Sequence, residues 1–339
     1  MRKLLWAFAV LLLVTGAAAA IYWQRANAVM NAAGPHLQTV DLMVKSGATV
    51  RAVLGELDAM GVLADRRAVE LVLRVRGSPQ IKTGHYEIPA AASPREILRQ
   101  LEEGRVVLEA LTIVEGWRFS DMRRVVEAHP HVKVTLRGKE IPELMAAIGH
   151  AGEHPEGRFF PDTYRFAADT SDRDLYALSY RKMTEALDGA WNTRAAALPL
   201  ANAYEALTLA SIVEKETGLA SERPRIAGVF TTRLRRNMRL QTDPTVIYGI
   251  GPSYDGNIRE RDLRTDTPYN TYTRAGLPPT PIALPSREAL VAVTRPVETG
   301  DIFFVATGAG DGSHVFSATL EAHNAAVARY LARLRNQRR

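Results

Sequence analysis

Between Lys3 and Arg25 the chain carries no charged residue, and the stretch from Leu4 to Trp23 is overwhelmingly apolar. A helix of about twenty residues matches the roughly 30 Å hydrocarbon core of a bilayer, so this segment restricts the fold more than any other. Arg2 and Lys3 place positive charge on its N-terminal side, which predicts a cytoplasmic start and export of everything after it. Tyr22 and Trp23 suit the far interface. The small residues Ala17 to Ala20 would also serve as a signal-peptide cleavage site. A signal core spans only ~7–15 apolar residues, however, and the longer run here favours a retained anchor. The expected location is the inner membrane, crossed once, with the remaining domains in the periplasm.

After this anchor (1–25), residues 26–38 (ANAVMNAAGPHLQ) read as a linker. A small α+β module follows over 39–104. VDLMVKSG is strand-like. TVRAVLGELDAMGVL has Val50, Val53, Leu54 and Leu57 at helical spacing behind Thr49 as N-cap. ADRRAVELVLRVRG predicts a second helix and IKTGHYEIP a returning strand. SPREILRQLEEG begins with Ser93 as cap and Pro94 at the first helical position, and stops at Gly104.

Residues 105–339 form a larger mixed α+β domain, giving an α+β chain behind a transmembrane helix. VVLEALTIVEG is strand-like, and FSDMRRVVEAHP predicts a helix capped by Ser120. EGRFFPDTYRF (156–166) reads as an aromatic loop packed on something fixed. Helices are expected around 172–188 and 201–217, and another in SERPRIAGVFTTRLRRN behind Ser221. The stretch from Arg239 to Ser286 is dense in Pro, Gly, Asn and Tyr; so long an irregular run inside a domain is usually functional. DIFFVATGAGDGSHVFS reads as a β-hairpin and TLEAHNAAVARYLARL as a closing helix.

LASIVEKETG (209–218) places Glu214 and Glu216 before a helix-stopping Gly218. At 100° per residue Leu209, Ile212, Val213 and Glu216 share one face, while Glu214 lies beside Leu207, Ala210 and Ser211. Desolvation and the negative end of the helix dipole should both raise the pKa of Glu216. A carboxyl that keeps its proton near neutral pH is what a general acid requires. The competing reading is a glutamate paired with Arg223 or Arg225 of the next helix, since structural ion pairs also perturb titration.

QTDPTV (241–246) has an ordinary explanation in part: Asp243 before Pro244 is an N-cap, which leaves Gln241 and Thr242 unaccounted for. TPYNTY offers Asn270 and tyrosines either as sugar contacts or as a simple turn. LPPTPIALP is rigid enough for a groove wall or an extended crossing. The absence of cysteine rules out disulfides and thiolate metal sites. His150 and His154 are interrupted by Gly152 and followed by Pro155, His129 and His131 flank a proline, and His314 has no sequence partner; no metal or other cofactor is expected. No P-loop or G-x-S-x-G elbow occurs. The net charge of +6 is dispersed except for the terminal RNQRR, unlike the clustered basic stripe of a nucleic-acid binder.

Together the anchor, GHYEIP, FFPDTY, LASIVEKET, QTDPTVIYG, YNTYT-x-x-GLPP-x-PI and the terminal HVF resemble the endolytic murein transglycosylases of the MltG (YceG-like) family over nearly the whole chain. One departure is Arg158 before Phe159, where a bulky apolar residue is expected. The resemblance implies that residues 39–104 are LysM-like and that Glu216, second acid of E-K-E, is catalytic. It further implies cleavage of the MurNAc-β-1,4-GlcNAc bond within peptidoglycan glycan strands, leaving a 1,6-anhydro end and trimming or terminating nascent strands. Gln241, Thr242, Asp243, Asn270 and Tyr272 are the candidates for orienting the sugar or Glu216. Peptidoglycan synthases are the macromolecular partners such a role would suit. Two other functions stay open at this point: a water-using muramidase with Asp243 or Asp162 as second carboxylate, and a non-catalytic membrane-tethered peptidoglycan-binding scaffold.

Overall fold

A computed structural model of the chain describes residues 2–45 and 47–337. Ser46, in the turn expected after the first strand, and Arg338 and Arg339 of the terminal basic run lie outside the described residues. The chain forms two compact units. One comprises the residues up to Ala110 with His131–Lys133 and Arg165–Thr170, and the other comprises Leu111–Pro130, Val134–Tyr164 and the remainder from Ser171.

The first elements are α1 (Arg2–Asn31), β1 (Val40–Val44), α2 (Val50–Ala59), α3 (Arg66–Arg76), β2 (Gly84–Ile88) and α4 (Pro94–Glu103). Strands β1 and β2 pair antiparallel with Leu42 opposite Tyr86, which turns Leu42, Val44, Tyr86 and Ile88 into one buried layer. Val53, Leu54 and Leu57 of α2, and Val69 and Val72 of α3, close over it. The three expected caps form as read: the Thr49 hydroxyl accepts from Ala52 N–H, Ser93 and Glu96 make a reciprocal box, and Gly104 adopts φ 73°.

Helix α1 is the one described helix long and apolar enough to cross a membrane. It differs from expectation at its far end. Residues 26–31 continue the helix instead of forming a linker, and Ala26 and Met30 are buried in the core of the first unit. Nothing in ANAVMN breaks a helix, and two apolar side chains four residues apart give it a face to bury.

There follow β3 (Leu108–Thr112), α5 (Phe119–Ala128), β4 (Val132–Lys133), α6 (Ile141–Ala147), β5 (Thr163–Ala167) and β6 (Thr170–Ser171). Next come α7 (Asp172–Asn192), α8 (Ala203–Glu216), α9 (Arg223–Arg235), α10 (Asp243–Ile250), α11 (Glu260–Arg264) and α12 (Arg287–Thr294). The chain closes with β7 (Phe303–Ala306), β8 (His314–Ser317) and α13 (Leu320–Gln337). Among the described residues the sheets are two-stranded: β1–β2, β3–β5, β4–β6 and β7–β8.

Helix α8 is the axis of the second unit. Every residue from Ala206 to Val213 is buried, so it is surrounded on all sides by α7, α9, α12 and the segment around Ile282. That segment, the LPPTPIALP stretch, bends as it passes the helix: Ile282 N–H donates to Ser211 Oγ at 2.9 Å and Leu284 N–H to Trp117 O at 2.7 Å. The aromatic stretch 156–166 is partly strand, because β5 begins at Thr163, and its Phe159 stacks on Phe119 at 5.0 Å. Arg158, where an apolar residue is expected, lays its guanidinium over the Tyr204 ring at 4.7 Å and pairs with Glu153 at 3.1 Å.

Besides α10, two helix starts are displaced from expectation. Arg118, not Ser120, is the N-cap of α5, where its N–H is met by Asp121 Oδ2 at 3.2 Å. Glu222, not Ser221, caps α9. Gly228 sets how closely the chain approaches that helix: a Cβ there would lie 2.1 Å from the carbonyl oxygen of Val297. An exposed helical Gly→Ala change gains up to about 1 kcal/mol from propensity. Here the obstacle is backbone, and forced overpacking costs about 1–3 kcal/mol or more. Gly228→Ala should therefore lower stability, with an earlier midpoint in urea unfolding.

Candidate active site

The end of α8 divides its two carboxylates between different tasks. Glu214 is clamped. Its Oε1 accepts from Arg223 Nη2 at 3.1 Å, its Oε2 accepts from Ser286 N–H at 2.9 Å and from the Ser286 hydroxyl, and its side chain is only 5% exposed. Ser286 is the N-cap of α12, so Glu214 ties α8, α9 and α12 together. The other arginine weighed for Glu216 is engaged elsewhere: Arg225 pairs with Asp301 at 2.6 Å. Lys215 turns away and donates to Gly116 O at 3.2 Å.

Glu216 makes no ion pair among the described residues. It is the last residue of α8, half-buried, and its Oε1 accepts a hydrogen bond from the Thr242 hydroxyl. The helix stops just before Gly218, where Thr217 turns extended, at φ −144° and ψ 135°. Removal from water is the main force on the Glu216 carboxyl and pushes its pKa up to about 7. The Asp243 charge pushes the same way, while the Thr242 hydrogen bond and the Arg233 charge oppose it.

The carboxyl faces a cleft of about 560 Å³, inside the roughly 300–1,000 Å³ range of small-molecule sites. One wall is Gln241, Thr242, Asp243 and Tyr272. Thr242 is held by a buried hydroxyl cluster: its N–H donates to Thr271 Oγ1 at 3.1 Å, and its carbonyl accepts from Thr245 Oγ1 at 2.8 Å. Thr242, not Asp243, is the N-cap of α10, which leaves Asp243 at the first helical position with its side chain free for the cleft. There Asp243 Oδ1 accepts from the Tyr272 hydroxyl at 2.6 Å, and burial together with that carboxylate holds the phenol above its ordinary pKa. Gln241 sits at φ 50°, a left-handed conformation costly for a residue with a Cβ, and its side chain is exposed.

Asn270 is not brought to this wall. It is 1% exposed, and its amide donates to the carbonyls of Asp262, Leu263 and Thr265, at 2.7 Å for Thr265. Its Oδ1 accepts from Tyr272 N–H at 2.9 Å. The substrate-contact expectation is therefore replaced by a structural one: Asn270 staples the loop that presents Tyr272.

The opposite wall was not foreseen. Arg233 from α9, Phe303 and Phe304 from β7, and Leu320, His323 and Asn324 from α13 line the same cleft. His323 stacks on Phe303 with ring centres 4.9 Å apart, and burial and the Arg233 charge hold its imidazole below its ordinary pKa. Arg233 did leave a signal. Ile226, Val229, Phe230 and Arg233 form an i, i+3, i+4, i+7 stripe, and all four are buried, so a charge occupies a core position.

Other acids stand apart from the cleft. Asp162 is paired with Lys182 at 2.7 Å, which holds its carboxyl below the usual range. Glu156 is buried, and desolvation pushes its carboxyl to about 7. It is occupied structurally, accepting Phe119 N–H at the start of α5 at 2.9 Å and the Tyr248 hydroxyl at 3.1 Å. His314, without a partner in sequence, meets Glu222 at 2.7 Å. Among the described residues no group of three or more His, Asp or Glu side chains is placed to hold a metal ion.

A carboxyl with no ion pair among the described residues and a pKa raised toward neutrality, in a cleft of hydroxyls, amides and rings, is chemically suited to acid–base work on a polar ligand. Residues 42–329 match the YceG-like family, and the chain belongs to that family. It is 28% identical over 311 residues to the endolytic murein transglycosylase of Bacillus subtilis, covering 86% of this chain and 85% of that one. The protein of the same name from Streptococcus pneumoniae is 25% identical over 86% of this chain, which spans 58% of that longer relative. The crystal structure of a YceG-like protein from Listeria monocytogenes superposes with a TM-score of 0.53 at 26% identity, over 85% of this chain and 99% of that one.

The two glutamates should separate cleanly in unfolding experiments. Glu214→Ala strands Arg223 and removes the brace on Ser286, a loss of about 3–5 kcal/mol for breaking a buried pair. Glu216 carries the opposite sign. Because its folded pKa lies above its ordinary 4.5, its ionisation destabilises the fold increasingly between pH 4.5 and about 7. At pH 8, Glu216→Gln should be at least as stable as the parent in urea.

Proposed function

We propose that this chain is a membrane-anchored endolytic murein transglycosylase that cuts the MurNAc-β-1,4-GlcNAc bond inside peptidoglycan strands with Glu216 as its acid and base. The observation that carries this reading is the Glu216 carboxyl itself: unpaired, held by Thr242, and raised to about 7 in a cleft lined by sugar-compatible groups. Family membership and the names of the relatives support the substrate.

One carboxyl suffices for both halves of the reaction. Protonated Glu216 gives its proton to the bridging oxygen as the bond from the muramyl C1 breaks, and the N-acetylglucosamine leaves with a free 4-hydroxyl. The Glu216 carboxylate then takes the proton of the muramyl C6 hydroxyl as O6 bonds to C1, closing the 1,6-anhydro ring and restoring the acid. A pKa near 7 serves both steps, since an acid too weak or too strong would fail at one of them. Water-using hydrolysis would need a second carboxylate across the sugar. Asp162 lies outside the cleft, and Asp243 is oriented by Tyr272.

Helix α1 supplies the anchor in this reading, with its start in the cytoplasm and the chain beyond it in the periplasm, and residues 39–104 act as a LysM-like peptidoglycan-binding module. Cutting within strands next to the membrane would trim or terminate them as they are made, beside the synthases.

Mass spectrometry of purified murein after digestion tests the chemistry: anhydro-muramyl ends are expected, and reducing muramyl ends would identify a hydrolase. Glu216→Gln should lower the rate by about 10²–10⁴-fold, the usual worth of a general acid–base group. A variant digesting at the parental rate overturns the assignment, and an inactive parent would favour a binding scaffold. The rate should fall as pH rises through about 7, because the proton donor is lost. Thr242→Val removes a hydrogen bond that favours the carboxylate, so that alkaline limb should move to higher pH.

A further inference from the structure

Arg233 is 7% exposed, yet it makes no ion pair among the described residues. Its Nε donates to Ile302 O at 2.7 Å, and its Nη1 donates to Leu240 O at 2.7 Å and Arg239 O at 3.3 Å. The guanidinium lies over the Phe303 ring at 5.2 Å. These contacts lock its plane and leave Nη2 without a hydrogen-bond partner among the described residues, in a side chain that lines the Glu216 cleft. Buried charges are ordinarily paired, and an unpaired one in a cleft wall is a prepared site for an acceptor oxygen. A fixed guanidinium edge suits a carboxylate or an acyl oxygen best.

Both sugars of the proposed substrate carry an N-acetyl oxygen, but only one of them carries a carboxyl oxygen as well. The alternating residues of a murein strand differ in the lactyl ether at C3 of the muramyl unit, whose carboxyl is either free or amide-linked to a stem peptide. The other sugar has a bare hydroxyl there. We infer that Arg233 binds the lactyl carboxyl oxygen of the muramyl residue and thereby selects which of the two alternating β-1,4 bonds is presented to Glu216. This inference rests on the murein reading above. Arg233 acts as a specificity residue, one helix away from the acid: Glu216 comes from α8 and Arg233 from α9, and they meet across one cleft.

Binding to the full-length Glu216→Gln protein, which does not turn over, tests this by calorimetry. The ligands are a murein tetrasaccharide with free lactyl carboxylates, the same sugar with those carboxyls as methylamides, and chitotetraose of equal length. The murein sugar should bind at least tenfold more tightly than chitotetraose, with the methylamide between them. Adding Arg233→Lys, which keeps the charge but loses the planar fork, or Arg233→Gln should bring the ratio close to one. Equal binding of murein and chitin sugars to the Glu216→Gln protein overturns the inference without any change at Arg233, so a misfolded arginine variant cannot mask the result. An undiminished ratio in the Arg233→Lys protein overturns it as well, and would leave Arg233 as an anchor for Leu240 and Ile302. If the parent digests murein to anhydro ends while the ratio is one, only this inference fails; if the parent digests nothing, the functional reading fails and takes the inference with it.

Discussion

Two carboxylates at the end of α8 compete for the cations nearby, and the site depends on which of them wins. Arg223 reaches Glu214 at 3.1 Å while Ser286 N–H meets the other oxygen at 2.9 Å, so the pair is satisfied on one side of the helix and Glu216 is left alone on the other. A cation at about 4 Å in a protein environment of effective dielectric near 20 is worth roughly 4 kcal/mol. The rise of Glu216 from 4.5 to about 7 corresponds to roughly 3 kcal/mol. An arginine on Glu216 would therefore erase the elevation entirely. Arg225 is held by Asp301 and Arg233 by three backbone carbonyls, and neither forms an ion pair with Glu216.

Close packing keeps that arrangement from relaxing. Helix α8 is buried from Ala206 to Val213, so it cannot rotate to offer Glu216 to water without exposing core. Ser211 pins the crossing segment at Ile282, and the absence of a side chain at Gly228 lets the chain near Val297 lie against α9. The hydroxyls of Thr242, Thr245 and Thr271 then fix the hydrogen bond that Glu216 accepts from Thr242. The rigid core and the titrating group are parts of one design: the packing removes water, and the missing cation lets the removal raise the pKa.

Much of this was legible in order along the chain. The wheel on LASIVEKETG separates Glu216 from Glu214, because helical periodicity is local and needs no tertiary knowledge. The caps at Thr49, Ser93 and Gly104 are readable for the same reason. What escaped was set by contacts distant in sequence. Asn270 looked like a sugar ligand because an amide in a turn has the same composition whether it faces a ligand or three carbonyls of its own loop. Ser120 and Ser221 looked like caps because serine usually is one, but Arg118 and Glu222 hold those positions. Phe303 and His323 reach the cleft only through the terminal hairpin and helix, and no local pattern joins them to residue 216. Arg233 was the exception, a charge on a buried helical stripe. Residues 26–31 continue as helix, against the linker reading, since their sequence contains no stop signal.

The central claim is that the Glu216 carboxyl retains its proton near neutrality, and a carbon-13 NMR titration of protein labelled at the glutamate side-chain carboxyl measures that directly. Glu156 is also expected near 7, so the signal is assigned by its disappearance in the Glu216→Gln protein. The account predicts a lost resonance with a midpoint of about 7. A Glu216 resonance titrating near the ordinary 4.5 would contradict it.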